Sequence, residues 1–140
     1  MGLKTFIKRR FTKEEGIYYK LNDLQRFVKI QEKDFQRALF EIRQGRKQSH
    51  WIWFIFPQMR GWGHSAYSNY YGIVNYLEAK NYLDHPILGA RLRKVTEALF
   101  AVDGKTAVEI LGELDAMKVR SSMTLFDAVC PNDIFRRVLE

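Results

Sequence analysis

Apolar residues in this chain recur every three or four positions in one stretch after another, and nowhere alternate singly between hairpin turns. Phe35, Ala38, Leu39 and Ile42 repeat this way from Asp34 up to Gly45, which sits where a helix-ending glycine belongs. Leu88, Leu92, Val95 and Leu99 form one stripe behind Pro86, a residue suited to a first helical turn. Leu114, Met117, Met123, Phe126 and Val129 run on to Pro131, and Ile134, Phe135, Val138 and Leu139 open a last amphipathic stretch still under way at Glu140. The punctuation agrees. Asn75 with Glu78, and Thr106 with Glu109, are spaced as capping boxes, Asp103-Gly104 marks a turn, and Gly112 interrupts the helix that Thr106 opens. Asn22 is placed to cap a short first helix through Leu24, Phe27 and Val28, and Ser65 to Tyr71 fits one or two turns closed by Gly72. The pattern predicts an all-α fold: a single compact multi-helix domain over residues 23–140, with a short basic N-terminal extension over 1–22.

One segment resists assignment. Ser49 to Pro57 is rich in β-branched and aromatic residues, which favour a strand, while Ser49 as a cap and its wholly apolar character suit a buried helical turn. Local pattern leaves both open. Pro57 ends the segment, and Gly61 and Gly63 make the next stretch of chain a loop.

A length of 140 residues suits one domain, and 46% apolar residues supply its core. The single cysteine, Cys130, can form no internal disulfide and has no cysteine partner for a zinc site; before Pro131 on an apolar stretch it reads as buried. No run approaches the length of a membrane span and no secretory signal opens the chain, so a cytoplasmic protein without membrane contact is expected. Three scattered histidines without ligand spacing predict no metal, and the lack of a Gly-rich phosphate loop predicts no cofactor. Asp84-His85-Pro86 reads as a helix junction cap, and His64 as exposed loop.

Charge is unevenly spread. Of the net +7, the first twenty residues hold +4, six basic against two acidic. Between Glu41 and Glu78 there is no Asp or Glu, although Arg43, Arg46, Lys47 and Arg60 lie there with nine of the chain's twenty aromatics. Cations beside aromatic walls, with no local carboxylate, suit an anion carrying a flat group. In that reading Arg46, Lys47 and Arg60 neutralise charge, and His50 donates or shuttles a proton. Trp51, Trp53 or Trp62 stacks, and Gln58 offers an amide from the loop. Backbone N–H groups behind a Ser49 cap would add to the site. Lys118, Arg120, Ser121, Ser122 and Thr124 bring further cations and hydroxyls from a distant block. Each has a plainer account: the tryptophans as core, His50 as a satisfied imidazole, Arg60 as a solvated turn residue, the hydroxyls as caps.

The stretches Gly45-Arg-Lys-Gln-Ser-His-Trp-Ile-Trp-Phe-Ile-Phe-Pro-Gln-Met-Arg-Gly61, Tyr71-Gly72, Tyr82-Leu-Asp-His-Pro-Ile-Leu-Gly-Ala-Arg-Leu92 and Lys118-Val-Arg-Ser-Ser-Met-Thr-Leu-Phe126 stand in order along the chain. Together they resemble a bacterial family, domain of unknown function 1810, from about Asp23 to the C-terminus. The resemblance implies an all-α fold, and with it a helix over 49–56. It implies no reaction. Some members carry the label calpastatin, but that inhibitor is a disordered repeat protein and this chain is core-rich with three prolines. The expected function is that of a small helical ligand-binding domain or enzyme that holds an anionic, phosphate- or nucleotide-like molecule between the 46–60 and 118–124 blocks, with no motif that specifies a reaction. Its rivals are a nucleic-acid-binding module that uses the basic leader, and a structural or protein-interaction domain.

Overall fold

The computed structural model describes residues 23–140; the basic extension and the Asn22 cap lie outside them. Eight helices follow in order among the described residues: α1 Gln25–Arg43, α2 Ile52–Ile55, α3 Ala66–Tyr70, α4 Tyr76–Asp84, α5 Leu88–Phe100, α6 Ala107–Leu111, α7 Glu113–Val129 and α8 Ile134–Leu139. No strand forms among these residues, only an isolated parallel bridge between Met59 and Ile73. The all-α reading holds.

The first two expected helices are one. Phe27, Val28, Gln31, Phe35, Ala38, Leu39 and Ile42 share a buried face, so the apolar stripe runs unbroken through Asp34. Ser49 to Pro57 resolves as a single turn of helix between irregular flanks, with Trp51 rather than Ser49 at its N-cap position. Trp51, Ile52, Phe54, Ile55 and Phe56 are all buried, and that burial overrides the strand propensity of the segment.

The punctuation holds where it was clearest. Thr106 and Glu109 close a full capping box on α6. Asn75 accepts from the Glu78 N–H at the start of α4, but the Glu78 side chain turns elsewhere, so that box is half formed. Ser65 caps α3 through the Ser68 N–H. The His85 ring accepts from the N–H groups of Ile87 and Leu88, which makes Asp84-His85-Pro86 the junction cap that was expected.

α1 packs against α5 and α2; α7 packs against α4, α6, α8 and α2. Phe27, Tyr82, Phe126 and Phe135 run through the centre, with ring centroids 5.0, 5.5 and 5.9 Å apart in succession. Burying each such ring stabilises by about 1.5–3 kcal/mol, before any edge-to-face gain. Gln31 crosses this core, its Nε2 donating to the Phe54 carbonyl at 2.7 Å and the Tyr82 hydroxyl at 2.9 Å. That ties α1 to α2 and α4. α2 is thereby fixed against the core, and α7, which packs on it, stands as a rim beside it.

Candidate functional site

The two blocks singled out by composition meet. Lys47, His50, Ile52 and Trp53 come from the chain between α1 and α2 and from α2 itself; Asp115 and Lys118 come from α7; Ser65, Ala66 and Tyr67 close the third side. They line an open cleft of about 540 Å³. A second cleft of about 490 Å³ adjoins it through Trp53 and Lys118, and is lined also by Gln58, Trp62, Gly63, Leu114, Met117, Arg120 and Ser121. Lys118 Nζ stands 4.5 Å from the Trp53 ring centroid, a cation–π contact on the wall that both clefts share.

Helical geometry explains which members of the second block arrive. Leu114, Lys118 and Ser121 lie on one face of α7 at spacings of four and three. Ser122, one residue further round, is fully buried, and its hydroxyl has no partner. Ser121 and Thr124 are not caps: mid-helix, their hydroxyls donate back to the carbonyls of Met117 and Arg120. Of the first block, Trp51 is 1% exposed and belongs to the core. Arg46 and Arg60 are exposed and line neither cleft. Arg60 instead sits in a turn whose N–H donates to the Ile73 carbonyl at 2.8 Å.

The acid-free window does not stay free of acid. Its own boundary residue Glu41 folds back from α1 and accepts from the N–H groups of Gln48 and Ser49, the Ser49 hydroxyl and the Trp51 indole N–H, at 2.6 to 2.9 Å. Burial pushes this carboxyl up, yet the four bonds outweigh it and hold its pKa at about 2. Ser49, expected to cap a helix whose N–H groups would face an external anion, instead gives its own N–H and hydroxyl to an internal carboxylate. At the far boundary, Glu78 takes Arg26 at 3.1 and 3.2 Å and the Val74 N–H at 2.9 Å. A third carboxylate, Asp115, comes from outside the window and binds Lys47 at 2.8 Å and Lys118 at 3.1 Å. Burial alone would raise its pKa; the two ammonium groups more than offset that and lower it.

Charge at the joined clefts is reduced but not cancelled. Lys47, Lys118 and Arg120 stand against Asp115 alone, a net +2 leaving His50 out of the count. Lys118 keeps 28% of its side chain open to solvent, whereas Lys47 keeps 9%. His50 is exposed at the edge of the first cleft. Asp115 is the functional neighbour that composition missed, although its position three residues before Lys118 on a helix signals the pair. No group of three or more His, Cys, Asp or Glu that could hold a metal forms among the described residues. No described helix is long and apolar enough to cross a membrane. The basic leader on which the nucleic-acid alternative depends lies outside the described residues.

A family model described as protein of unknown function DUF1810 matches residues 21–140. The chain belongs to the DUF1810 family. Among solved structures, this DUF1810 protein is similar to the conserved hypothetical protein Rv1873 from Mycobacterium tuberculosis, at 43% identity and a TM-score of 0.81 over 84% of each chain. A comparison with functionally curated proteins finds no match. Neither likeness names a ligand or a reaction, so the chemistry of this DUF1810 chain rests on its own residues.

Proposed function

We propose that this protein binds a small phosphate-bearing anion, nucleotide-like in character, across the two clefts that share Trp53. One observation carries this: Lys118 Nζ, 65 positions on in sequence, stands 4.5 Å from the ring centroid of the Trp53 indole, with net positive charge around it. Trp51 also carries an ammonium, Lys47 Nζ at 4.9 Å, but is closed into the core, whereas Trp53 opens onto both clefts. Lys118 and Arg120 neutralise the anion and Ser121 contributes a hydroxyl once it turns from the Met117 carbonyl, while Lys47 supports them from the floor of the first cleft. His50, exposed beside Lys47, would donate a hydrogen bond or a proton to a phosphoryl oxygen, which is the one place where a reaction could be carried. Asp115 competes with the ligand for the two ammonium groups, and a dianion with several oxygens prevails over its single negative charge.

The test uses pyrophosphate as probe, followed by tryptophan fluorescence and melting temperature. Wild type is expected to respond to both in the millimolar range or below, the melting temperature rising as the ligand binds only the folded state. Lys118→Met, which keeps the aliphatic stem, and His50→Ala should each weaken the response at least fivefold. No response from wild type, or a response in both variants as strong as that of wild type, overturns the proposal.

A further inference from the structure

We propose that a second copy of this chain docks on α7, the two α7 helices crossing antiparallel about a two-fold axis at Met117, with Glu113 of each copy paired to Arg120 of the other. This goes beyond the anion site and does not depend on it. The buried face of α7 is Val119, Ser122, Met123 and Phe126. Turned away from that face, Glu113, Met117, Arg120 and Thr124 recur at spacings of four, three and four, and all are exposed. That is the repeat with which one helix packs along another. Met117 is 63% exposed and Leu114, beside the stripe, 72%. An open groove of about 330 Å³ adjoins the stripe where α7 meets α6 and α8, lined by Leu99, Met123 and Leu139 and by Val108, which is 52% exposed. Contiguous apolar surface of this kind marks an interaction site.

Charge identifies the occupant. Glu113 and Arg120 stand seven residues apart on the same stripe, about two helical turns, and neither forms an ion pair among the described residues. A stripe that is acidic at one end, apolar in the middle and basic at the other is its own complement when turned end for end. An antiparallel copy sets each Glu113 beside an Arg120, and Met117, midway between them, meets Met117. That is the isologous contact of a two-fold dimer. A parallel copy would oppose like charges, and a partner of a single charge sign would satisfy one end of the stripe and oppose the other. Methionine suits the crossing point, because its flexible thioether adapts to the surface it meets. Val108 of each copy then lies over the groove of the other, so the apolar surfaces cover one another. Arg120 also edges the cleft beside Trp53. Its guanidinium has five donors, enough to hold the second copy's Glu113 on one edge and a phosphate on the other.

Full-length protein, without added phosphate, is followed by analytical ultracentrifugation from low to high micromolar concentration. Wild type should pass from monomer to dimer with a dissociation constant in the micromolar range, and no larger species should form, since a two-fold contact closes on itself. Met117→Glu places two carboxylates at the axis and should raise the dissociation constant about tenfold or more. Glu113→Arg and Arg120→Glu should each weaken association as well. Both substitutions in one chain should restore it, because exchanging the two ends leaves an antiparallel pair matched. An equimolar mixture of the two single variants should form a heterodimer tighter than the dimer of either alone. All three positions are exposed, so the variants should melt close to wild type at concentrations where every protein is monomeric. A dimer that survives Met117→Glu, or a double variant that stays monomeric where wild type dimerises, overturns the proposal. So does a wild type that is monomeric throughout, which would leave this face to a different protein or to none.

Discussion

Glu41 carries a stability consequence that depends on pH. Its carboxylate satisfies four donors of the Gln48–Trp51 segment, so the chain between α1 and α2 is organised around one buried negative charge. The folded pKa, at about 2, lies below the ordinary 4.5, so the group contributes its full stability above pH 4.5 and loses it as pH falls toward 2. Glu41→Gln turns an amide N–H₂ toward donors and should cost on the order of 2–3 kcal/mol at neutral pH. Melting curves collected from pH 7 to pH 2 check both points: wild type should lose stability more steeply below pH 4.5 than the variant, bringing the two curves together. Asp115 makes a different prediction. Asp115→Asn releases Lys47 and Lys118 from their shared partner, so pyrophosphate affinity should rise severalfold while stability falls by about 1 kcal/mol. Calorimetric titration and urea melts of the same protein separate the two effects; weaker binding in the variant would show that Asp115 positions the lysines rather than competing with the ligand.

Between elements, the decisive joint is Gly112, which serves as both the end of α6 and the start of α7. Its φ of 87° with ψ of 160° falls in a region open to glycine and costly for any residue with a Cβ. Nothing stands within 4 Å of an added Cβ, so crowding does not contribute. Gly112→Ala should therefore cost about 1–3 kcal/mol through backbone strain alone, read as a lower urea midpoint. Because α7 carries Lys118, Arg120 and Ser121, the same variant should also loosen pyrophosphate binding. The helix punctuation around this joint was legible in the sequence, since a capping box and a glycine are local chemistry that tertiary packing did not contradict. The Ser49–Pro57 segment was not legible: a four-residue turn has too little length for periodicity to show, and its apolar content suits either state once buried.

Across the whole molecule, Arg26 joins the start of α1 to the α3–α4 region. Its guanidinium donates to the carbonyls of Asp23, Tyr70 and Gly72 and to both oxygens of Glu78, with 1% of each charged side chain exposed. Removing one member strands the other as a buried charge, so Arg26→Met should cost about 3–5 kcal/mol, whereas Arg26→Met with Glu78→Met should recover part of the loss. Denaturant unfolding of the single variants, the double variant and wild type forms the cycle that measures it. The pair spans 52 positions, and no local pattern connects them.

What the sequence determined alone is the set of interactions that act within a few residues: helix periodicity, caps, the breaks at Gly45, Gly112 and Pro131, and the clustering of aromatics with cations. Those follow from backbone geometry and side-chain type, which the chain carries with it. Tertiary structure decided where the charges ended. It returned Glu41 and Glu78 to the window they bound, brought Asp115 between two lysines, sent Trp51 and Ser122 into the core, and set Trp53 under Lys118 with Gln58 beside it. A buried charge or an unpartnered amide is settled by what packs around it in space, and those neighbours come from parts of the chain that sequence distance does not reveal.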